Sequence, residues 1–487
     1  MTIAFRRRAV LLLGLFGLWA APAQAQEQSA VEAATAIQRA LVDVIAGAEK
    51  SVVSIARVRV ERPGETFNFE ARPDPFGGRA IPAASPEPTD PDFIPNEYGT
   101  GVVVGRGLIL TAYHVLGEQS EYYVTTHQRK VYRAWIKGAD PRSDLAVLGI
   151  EAVDLPPIRF GDAAGVKKGQ IVVVLGNPYA IARDGQASAG WGIVANLARK
   201  APPVPDESDS SGKTTLHHFG TLIQTDAKLN FGTSGGPLLN LRGEMIGLCV
   251  AWAAVAGYES AAGYAMPCDQ TFRRVVETLK LGREVEYGFL GIQPGNLRPQ
   301  ELLAGGQGIR VERVVPGTPA ARSGLKENDI VTAVNGRPIY ESDGLVLEVG
   351  KLPIEAVARL AVLRNSRPRT LNVTLAKYPV RGRKIVTTPS PGWRGMRVDY
   401  PTAFVDTDPQ AESGLAFFDR GVIVIGIEQG TAAWQAGLRR GMLVTHVGRA
   451  AVRTPRQFRL QTARSSGPVQ LRMADEQTPF RTVGPEY

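Results

Sequence analysis

Thr225-Asp226-Ala227-Lys228-Leu229-Asn230-Phe231-Gly232-Thr233-Ser234-Gly235-Gly236-Pro237-Leu238 sets a serine among glycines, between the apolar runs 220–225 and 244–251. A loop this tight turns its backbone N–H groups toward a point beside the serine hydroxyl, which is what stabilising an oxyanion requires. Ser234 is the candidate nucleophile, with the amides of Gly232 and Ser234, and that of Thr233 nearby, as candidate donors. Glycine suits positions where a side chain would block a substrate carbonyl or forbid positive φ. The motif alone fits an ordinary glycine-rich hairpin turn equally well. What the serine is partnered with decides the matter.

A serine hydroxyl needs a base, and the base needs a carboxylate to fix its tautomer. The histidines are His114, His127, His217, His218 and His446, and only His114 follows a strongly apolar strand pair, 101–105 and 108–111. Downstream, Asp144 stands at the mouth of the apolar strand that begins at Leu145. Taken singly, a strand-end histidine reads as a packed core residue and the aspartate as a turn residue. Together, the chain order His114, Asp144, Ser234 is that of the chymotrypsin-type triad. It predicts a mainly β protease unit with catalytic groups in the cleft between two barrels.

Six segments then match one family in order and spacing: Gly99-Thr100-Gly101-Val102-Val103-Val104, Thr111-Ala112-Tyr113-His114-Val115, Ser143-Asp144-Leu145-Ala146-Val147-Leu148, Gly176-Asn177-Pro178-Tyr179, Gln224-Thr225-Asp226-Ala227 and Gly232-Thr233-Ser234-Gly235-Gly236-Pro237-Leu238. The chain resembles the HtrA (DegP-like) serine proteases. The resemblance implies a chymotrypsin-like double β-barrel followed by PDZ domains, and cleavage of unfolded polypeptides by the three residues named. It also implies a trimer or larger homo-oligomer. Two positions depart from the family, Thr233 where Asn is usual and Tyr113 where a small residue is usual.

The specificity pocket is expected from Leu229, Gly247, Leu248 and Cys249, with Leu229 at its base by resemblance and Lys228 free to face inward or outward. No acidic residue is placed there to pair with a basic substrate side chain, so an apolar pocket selecting Val, Ile, Ala or Leu is expected.

At the start, Arg6-Arg7-Arg8, the apolar run 9–21 and Ala23-Gln24-Ala25 form the pattern of a secretory signal cleaved after Ala25, with an uncleaved anchor as the alternative. Signal and resemblance together point to a bacterial periplasm or cell exterior. No later stretch reaches membrane-spanning length. The net charge of +9 is spread along 487 residues without a dense basic tract, which argues against nucleic acid as a partner. The only cysteines, Cys249 and Cys268, fall on strands after the nucleophile loop and read either as a bridge or as two buried thiols. No metal-ligand spacing occurs, and no cofactor is expected.

Helical spacing of Val31, Ala34, Ile37, Leu41, Val44 and Ile45 predicts a helix over 29–50. Proline, glycine and charge without periodicity make 61–97 a long loop and 200–215 a polar insertion. His217-His218 beside it cannot both face one metal from an extended chain, so the pair reads as structural. A helix capped by Asp269 closes the protease unit, 26–284.

Beyond it the chain repeats itself. Gly308-Ile309-Arg310-Val311, Pro316-Gly317-Thr318-Pro319-Ala320-Ala321 and Gly324-Leu325 return as Gly421-Val422-Ile423-Val424, Gly430-Thr431-Ala432-Ala433 and Gly437-Leu438. Both copies, 285–378 and 391–487, look like PDZ domains joined by a linker, 379–390. Phe289, Leu290, Gly291 and Ile292 fit a loop that holds a peptide's C-terminal carboxylate. The counterpart Trp393-Arg394-Gly395-Met396-Arg397 fits less well. The competing reading is a peptide-binding chaperone or scaffold with a silent protease unit.

Overall fold

The computed structural model describes residues 21–59, 95, 97–151, 154–177, 185–203, 212–250, 263–404, 421–475, 477 and 479–485. The signal segment up to residue 20, nearly all of the 61–97 loop, and residues 204–211 of the insertion lie outside them. The first helix, α1 (Ala21–Ala48), begins before the expected position and buries Val44 and Ala48. No helix among the described residues is long and apolar enough to cross a membrane.

Two closed β-barrels follow. The first comprises β1 (Val52–Arg59), β2 (Glu97–Gly105), β3 (Leu108–Ala112), β4 (Ser120–Thr125), β5 (Val131–Asp140) and β6 (Leu145–Gly149). Its order is β5-β4-β1-β2-β3-β6, and β5 closes the ring by pairing with β6. The second comprises β7 (Ile171–Gly176), β8 (Ser188–Arg199), β9 (Leu222–Thr225), β10 (Pro237–Leu239), β11 (Met245–Val250) and β12 (Gly263–Pro267). Its order is β10-β11-β12-β9-β8-β7, closed by β10 on β7. The nucleophile loop therefore runs into β10 before 244–251 is reached. Three residues give no periodicity from which such a strand can be read.

The closing helix, α2 (Gln270–Lys280), starts at Asp269, whose carboxylate accepts from Phe272 N at 2.9 Å. Phe272, Val275, Val276 and Leu279 make its buried face, as the spacing predicts. It crosses β5 at Gly138, where a Cβ would lie 2.9 Å from Leu279 O.

The chain then forms a module of its own core. In it β13 (Gly288–Phe289) pairs with β15 (Ala376–Lys377), and β14 (Ile292–Asn296) is the edge of a sheet that continues through 309–314, 330–334, 357–364 and 367–374. Helix α3 (Ser342–Gly350) packs beside β14. A two-residue strand, β16 (Ile385–Val386), returns to the protease unit and pairs with β5 at Ala139 and Gly138. The last module repeats the sheet order, from an edge strand β17 (Met396–Asp399) through 422–427, 443–447, 469–473 and 480–483, with helix α4 (Pro455–Thr462) in the place of α3.

Candidate active site

His114 lies in a single 3₁₀ turn, Tyr113–Val115, at the end of β3, and Asp144 stands just before β6. Because β3 and β6 are neighbours, with Ala112 opposite Leu145, the two residues meet at one end of the first barrel. Backbone and side chain both fix the pair. Tyr113 N donates to Asp144 O at 2.8 Å, and His114 N donates to one carboxylate oxygen of Asp144 at 3.0 Å. The other oxygen lies 2.8 Å from His114 Nδ1, and His114 Nε2 lies 3.0 Å from Ser234 Oγ across the cleft. A carboxylate on Nδ1 keeps the proton there, which leaves Nε2 as an acceptor toward the hydroxyl. Burial works against the charged imidazole, but the charge of Asp144 and its hydrogen bond outweigh it, so the His114 pKa stands above its ordinary value.

The nucleophile loop is built by bonds between the barrels. Thr100, fully buried on β2, donates its N–H to Ser234 O at 2.9 Å and its hydroxyl to Gly232 O at 2.6 Å. The same hydroxyl accepts from Asn177 N at 2.8 Å. Gly232 has φ +92°, and a Cβ there would fall 2.3 Å from Asn177 O. Gly235 has φ +88°, and a Cβ there would fall 2.0 Å from Thr100 O. Only glycine fits either place. Thr100 was absent from the candidates, and its position between Gly99 and Gly101 was the one hint of it.

The Thr233 N–H turns back into the loop. It is bonded to Asn230 O at 3.1 Å, and the Thr233 hydroxyl donates to the same carbonyl at 2.6 Å. With positive φ at Gly232, this closes a type II turn over Asn230–Thr233. The side chain thus braces the turn that carries Gly232 and Ser234.

Leu229 is buried in the second barrel together with Ile223, Ala227, Cys249 and Ala265, while Lys228 is exposed. Gly263, the first residue of β12, makes room for Leu229, since a Cβ there would lie 2.8 Å from Leu229 Cδ1. Leu248 does not join this group. Neighbours on a strand face opposite sides, and Leu248 packs with Met245 and Met266 in the other core. Gly247 faces Ala265 Cβ. Cys249 meets the nucleophile loop through its backbone, accepting from Gly235 N at 2.9 Å and donating to Gly236 O at 2.7 Å. Cys249 and Cys268 are buried free thiols, and burial pushes both pKa values up.

In the first module, Gly291 has φ +86°, and its carbonyl accepts from Val315 N at 3.0 Å. Leu290 is buried, and Phe289 and Ile292 belong to β13 and β14 on either side of the turn. The four residues span the turn that joins β13 to β14.

Comparison with known proteins gives two family matches, a trypsin-like peptidase domain over residues 99–248 and a PDZ domain over residues 288–375. A probable DegP-like periplasmic serine endoprotease of Chlamydia trachomatis is 30% identical over 385 residues, covering 78% of this chain and 72% of that protein. The periplasmic serine endoprotease DegP of Salmonella typhimurium is 28% identical over 368 residues, covering 74% of this chain and 70% of its own length. Among solved structures, the HtrA-type protease AlgW with a tripeptide superposes with a TM-score of 0.52 at 22% identity, covering 70% of this chain and 97% of that one.

Proposed function

Since the chain belongs to the HtrA family of serine endoproteases, we propose that Ser234 is its nucleophile, His114 its general base and Asp144 the carboxylate that orients the imidazole. The observation that carries this reading is the position of His114, 2.8 Å from Asp144 and 3.0 Å from Ser234 Oγ. The chain is a serine endopeptidase that also carries a PDZ domain.

In the reaction, Ser234 Oγ attacks a peptide carbonyl as its proton passes to His114 Nε2, and Asp144 stabilises the imidazolium that forms. The amides of Gly232 and Ser234 hold the oxyanion. His114 then returns the proton to the leaving amine, and water releases the acyl group by the same steps. Leu229, with the strand segment Gly247, Leu248 and Cys249, gives an apolar pocket that selects small aliphatic residues before the cut bond.

The protease unit occupies 26–284, the first PDZ domain 285–378, the linker 379–390 and a second, divergent PDZ domain 391–487. The shared sheet order of the two modules supports the last assignment. The chain acts in the periplasm after loss of a signal peptide at Ala25, on unfolded polypeptides, as a trimer or larger homo-oligomer. The first PDZ domain takes C-terminal peptides through Phe289, Leu290, Gly291 and Ile292.

The test is digestion of casein and labelling by a fluorophosphonate, with Ser234→Ala and His114→Ala beside the unaltered chain. Loss of both activities in both variants is expected. Residual casein cleavage by Ser234→Ala would overturn the assignment. Peptide-library profiling should show cuts after Val, Ile, Ala or Leu, and a preference for Lys or Arg would refute the pocket.

A further inference from the structure

The two adjacent histidines beside the insertion do different work. They lie on a 3₁₀ turn, Leu216–Phe219, and not on an extended chain. His218 turns back on its own segment, where its Nδ1 accepts from Thr215 N at 3.0 Å. His217 points the other way, is buried, and places Nε2 2.8 Å from Ser143 O and Nδ1 2.6 Å from Thr221 Oγ1. A carbonyl can only accept, so Nε2 carries the proton, and Nδ1 of the neutral ring accepts a hydrogen bond from the Thr221 hydroxyl. Burial keeps the ring neutral by lowering its pKa. The titratable groups that face it are Asp144, His218 and Asp269.

Ser143 is the residue before Asp144, and Asp144 has φ +55°, a left-handed backbone that L-residues rarely adopt. Such a conformation persists only where its surroundings impose it. Here the 3₁₀ turn supplies two bonds to the loop: Leu216 N to Arg142 O at 2.9 Å, and His217 Nε2 to Ser143 O. Tyr113 N holds the next carbonyl, that of Asp144. The peptide that presents the carboxylate to His114 is thus gripped on both sides.

We propose that His217 is a positioning residue for catalysis: its Nε2–H holds the Ser143 carbonyl and so sets the backbone from which Asp144 reaches His114. The turn that carries it also packs against α3. A Cβ on Gly350, the last residue of α3, would lie 3.1 Å from Leu216 Cδ2, and Asp343 of α3 pairs with Lys200 and Lys213 of the insertion. The turn therefore joins α3 to the backbone that carries Asp144, through the Leu216 contact on one side and the His217 hydrogen bond on the other.

The inference rests on Asp144 being the triad carboxylate, so Asp144→Asn is assayed in parallel; wild-type turnover in that variant would fail the triad reading itself. His217→Phe keeps the ring and removes the donor. Its kcat on a short chromogenic peptide should fall about ten- to a hundredfold with KM nearly unchanged, as expected for misplacement by a fraction of an ångström. The acid limb of its kcat/KM profile should also move to lower pH, because Asp144 would raise the His114 pKa less. His217→Gln, whose amide N–H can reach the same carbonyl, should restore most of the rate and the limb. Rates are normalised to the fraction labelled by fluorophosphonate, which separates misplacement from unfolding. An unmoved acid limb with normal kcat in His217→Phe overturns the proposal. Should that variant not fold, Thr221→Val, which frees the ring to turn, must show the same shift in smaller measure, and its absence is equally decisive against it.

Discussion

The two C-terminal modules share a scaffold and differ at the turn that would meet a ligand. Gly291 and Gly395 have φ +86° and +79°, and a Cβ on either would strike the threonine opposite, Thr318 or Thr431. Val315 N donates to Gly291 O at 3.0 Å, and Glu428 N donates to Gly395 O at 2.8 Å. Ahead of the glycine the modules part. Leu290 is a core side chain, whereas Arg394 is a buried cation that donates to Val483 O, Gly484 O and Gly467 O at 2.8, 2.8 and 2.7 Å. In the second module Met396 N donates to Trp393 O at 2.9 Å and Trp393 N to Met396 O at 2.7 Å, so the turn closes on itself. An amide spent inside the turn is not offered to a carboxylate. The repeated glycines and threonines preserve a backbone shape, and the residues between them decide what that shape is for.

The strongest challenge to this comparison is Arg394→Leu, which makes the second turn resemble the first. It takes the donor from the buried Val483 carbonyl and from the part-buried carbonyls of Gly484 and Gly467, and removes the stacking of the guanidinium on Trp393 at 4.8 Å. Unpaired buried acceptors cost 1–3 kcal/mol each before relaxation, so a loss of about 3 kcal/mol is expected. Urea unfolding followed by Trp fluorescence would read it, and a loss below about 1 kcal/mol would mean that Arg394 is no structural plug. Next in size is Gly291→Ala, whose Cβ would sit 2.2 Å from Thr318 Cβ. Affinity for a hydrophobic C-terminal peptide should fall tenfold or more, equivalent to about 1.4 kcal/mol. Gly395→Ala should leave that affinity unchanged, and an equal loss there would place binding in the second module as well.

The meeting of His114, Asp144 and Ser234 was legible in the sequence because the chemistry proposed for them demands particular residue types at strand ends and in a fixed order. His114, Asp144 and Ser234 met that demand, and Gly232 marked a turn that needs positive φ. The rest depended on distant segments coming together. Thr100 is one threonine on an apolar strand until Gly232 and Asn177 arrive at its hydroxyl. Thr233 read as a donor because its N–H lies beside the hole, and only the Asn230 carbonyl shows it to be engaged. That Leu248 and Leu229 fall in different cores is not readable from the sequence, because which face of a strand is which does not show where both faces are apolar. Arg394 looked like a flaw in a binding motif, and its carbonyl partners lie about seventy to ninety residues further along the chain.

A smaller effect concerns the joint between the modules. Lys377, at the end of the first, is buried among Glu284, Glu286 and Asp399, the last of these from the second module. Burial raises the Glu286 pKa despite Lys377, whereas at Glu284 burial is outweighed by Lys377 and Lys384 and the pKa is lowered. Glu284 thus contributes stability above the ordinary glutamate range that is lost as pH falls through its lowered pKa. Glu286 acts in the opposite sense and weakens the joint as pH rises through its raised pKa. Thermal stability should therefore peak between the two values, and Glu286→Gln should flatten the decline on the neutral side. A profile unaffected by that substitution would leave the joint without a role for Glu286.

The smallest effect tests how differently the modules are fastened. The chain leaving the first returns to the protease unit as β16, so that module is tied down at both ends. Tyr113 Oη donates to Arg383 O at 3.0 Å, and Thr387 Oγ1 donates to Lys137 O at 2.6 Å. Tyr113 stands next to His114, where a small residue would suffice for catalysis, so its hydroxyl serves the strap. Water can replace that exposed bond, and Tyr113→Phe should cost only about 0.5 kcal/mol. Local opening of the strap would rise about twofold, read as faster amide hydrogen exchange at Ile385 and Val386 without change at Val422 or Val424. Unchanged exchange would assign the hold to the pairing with Gly138 and Ala139 alone, and the tyrosine would then have no part in fastening the first module.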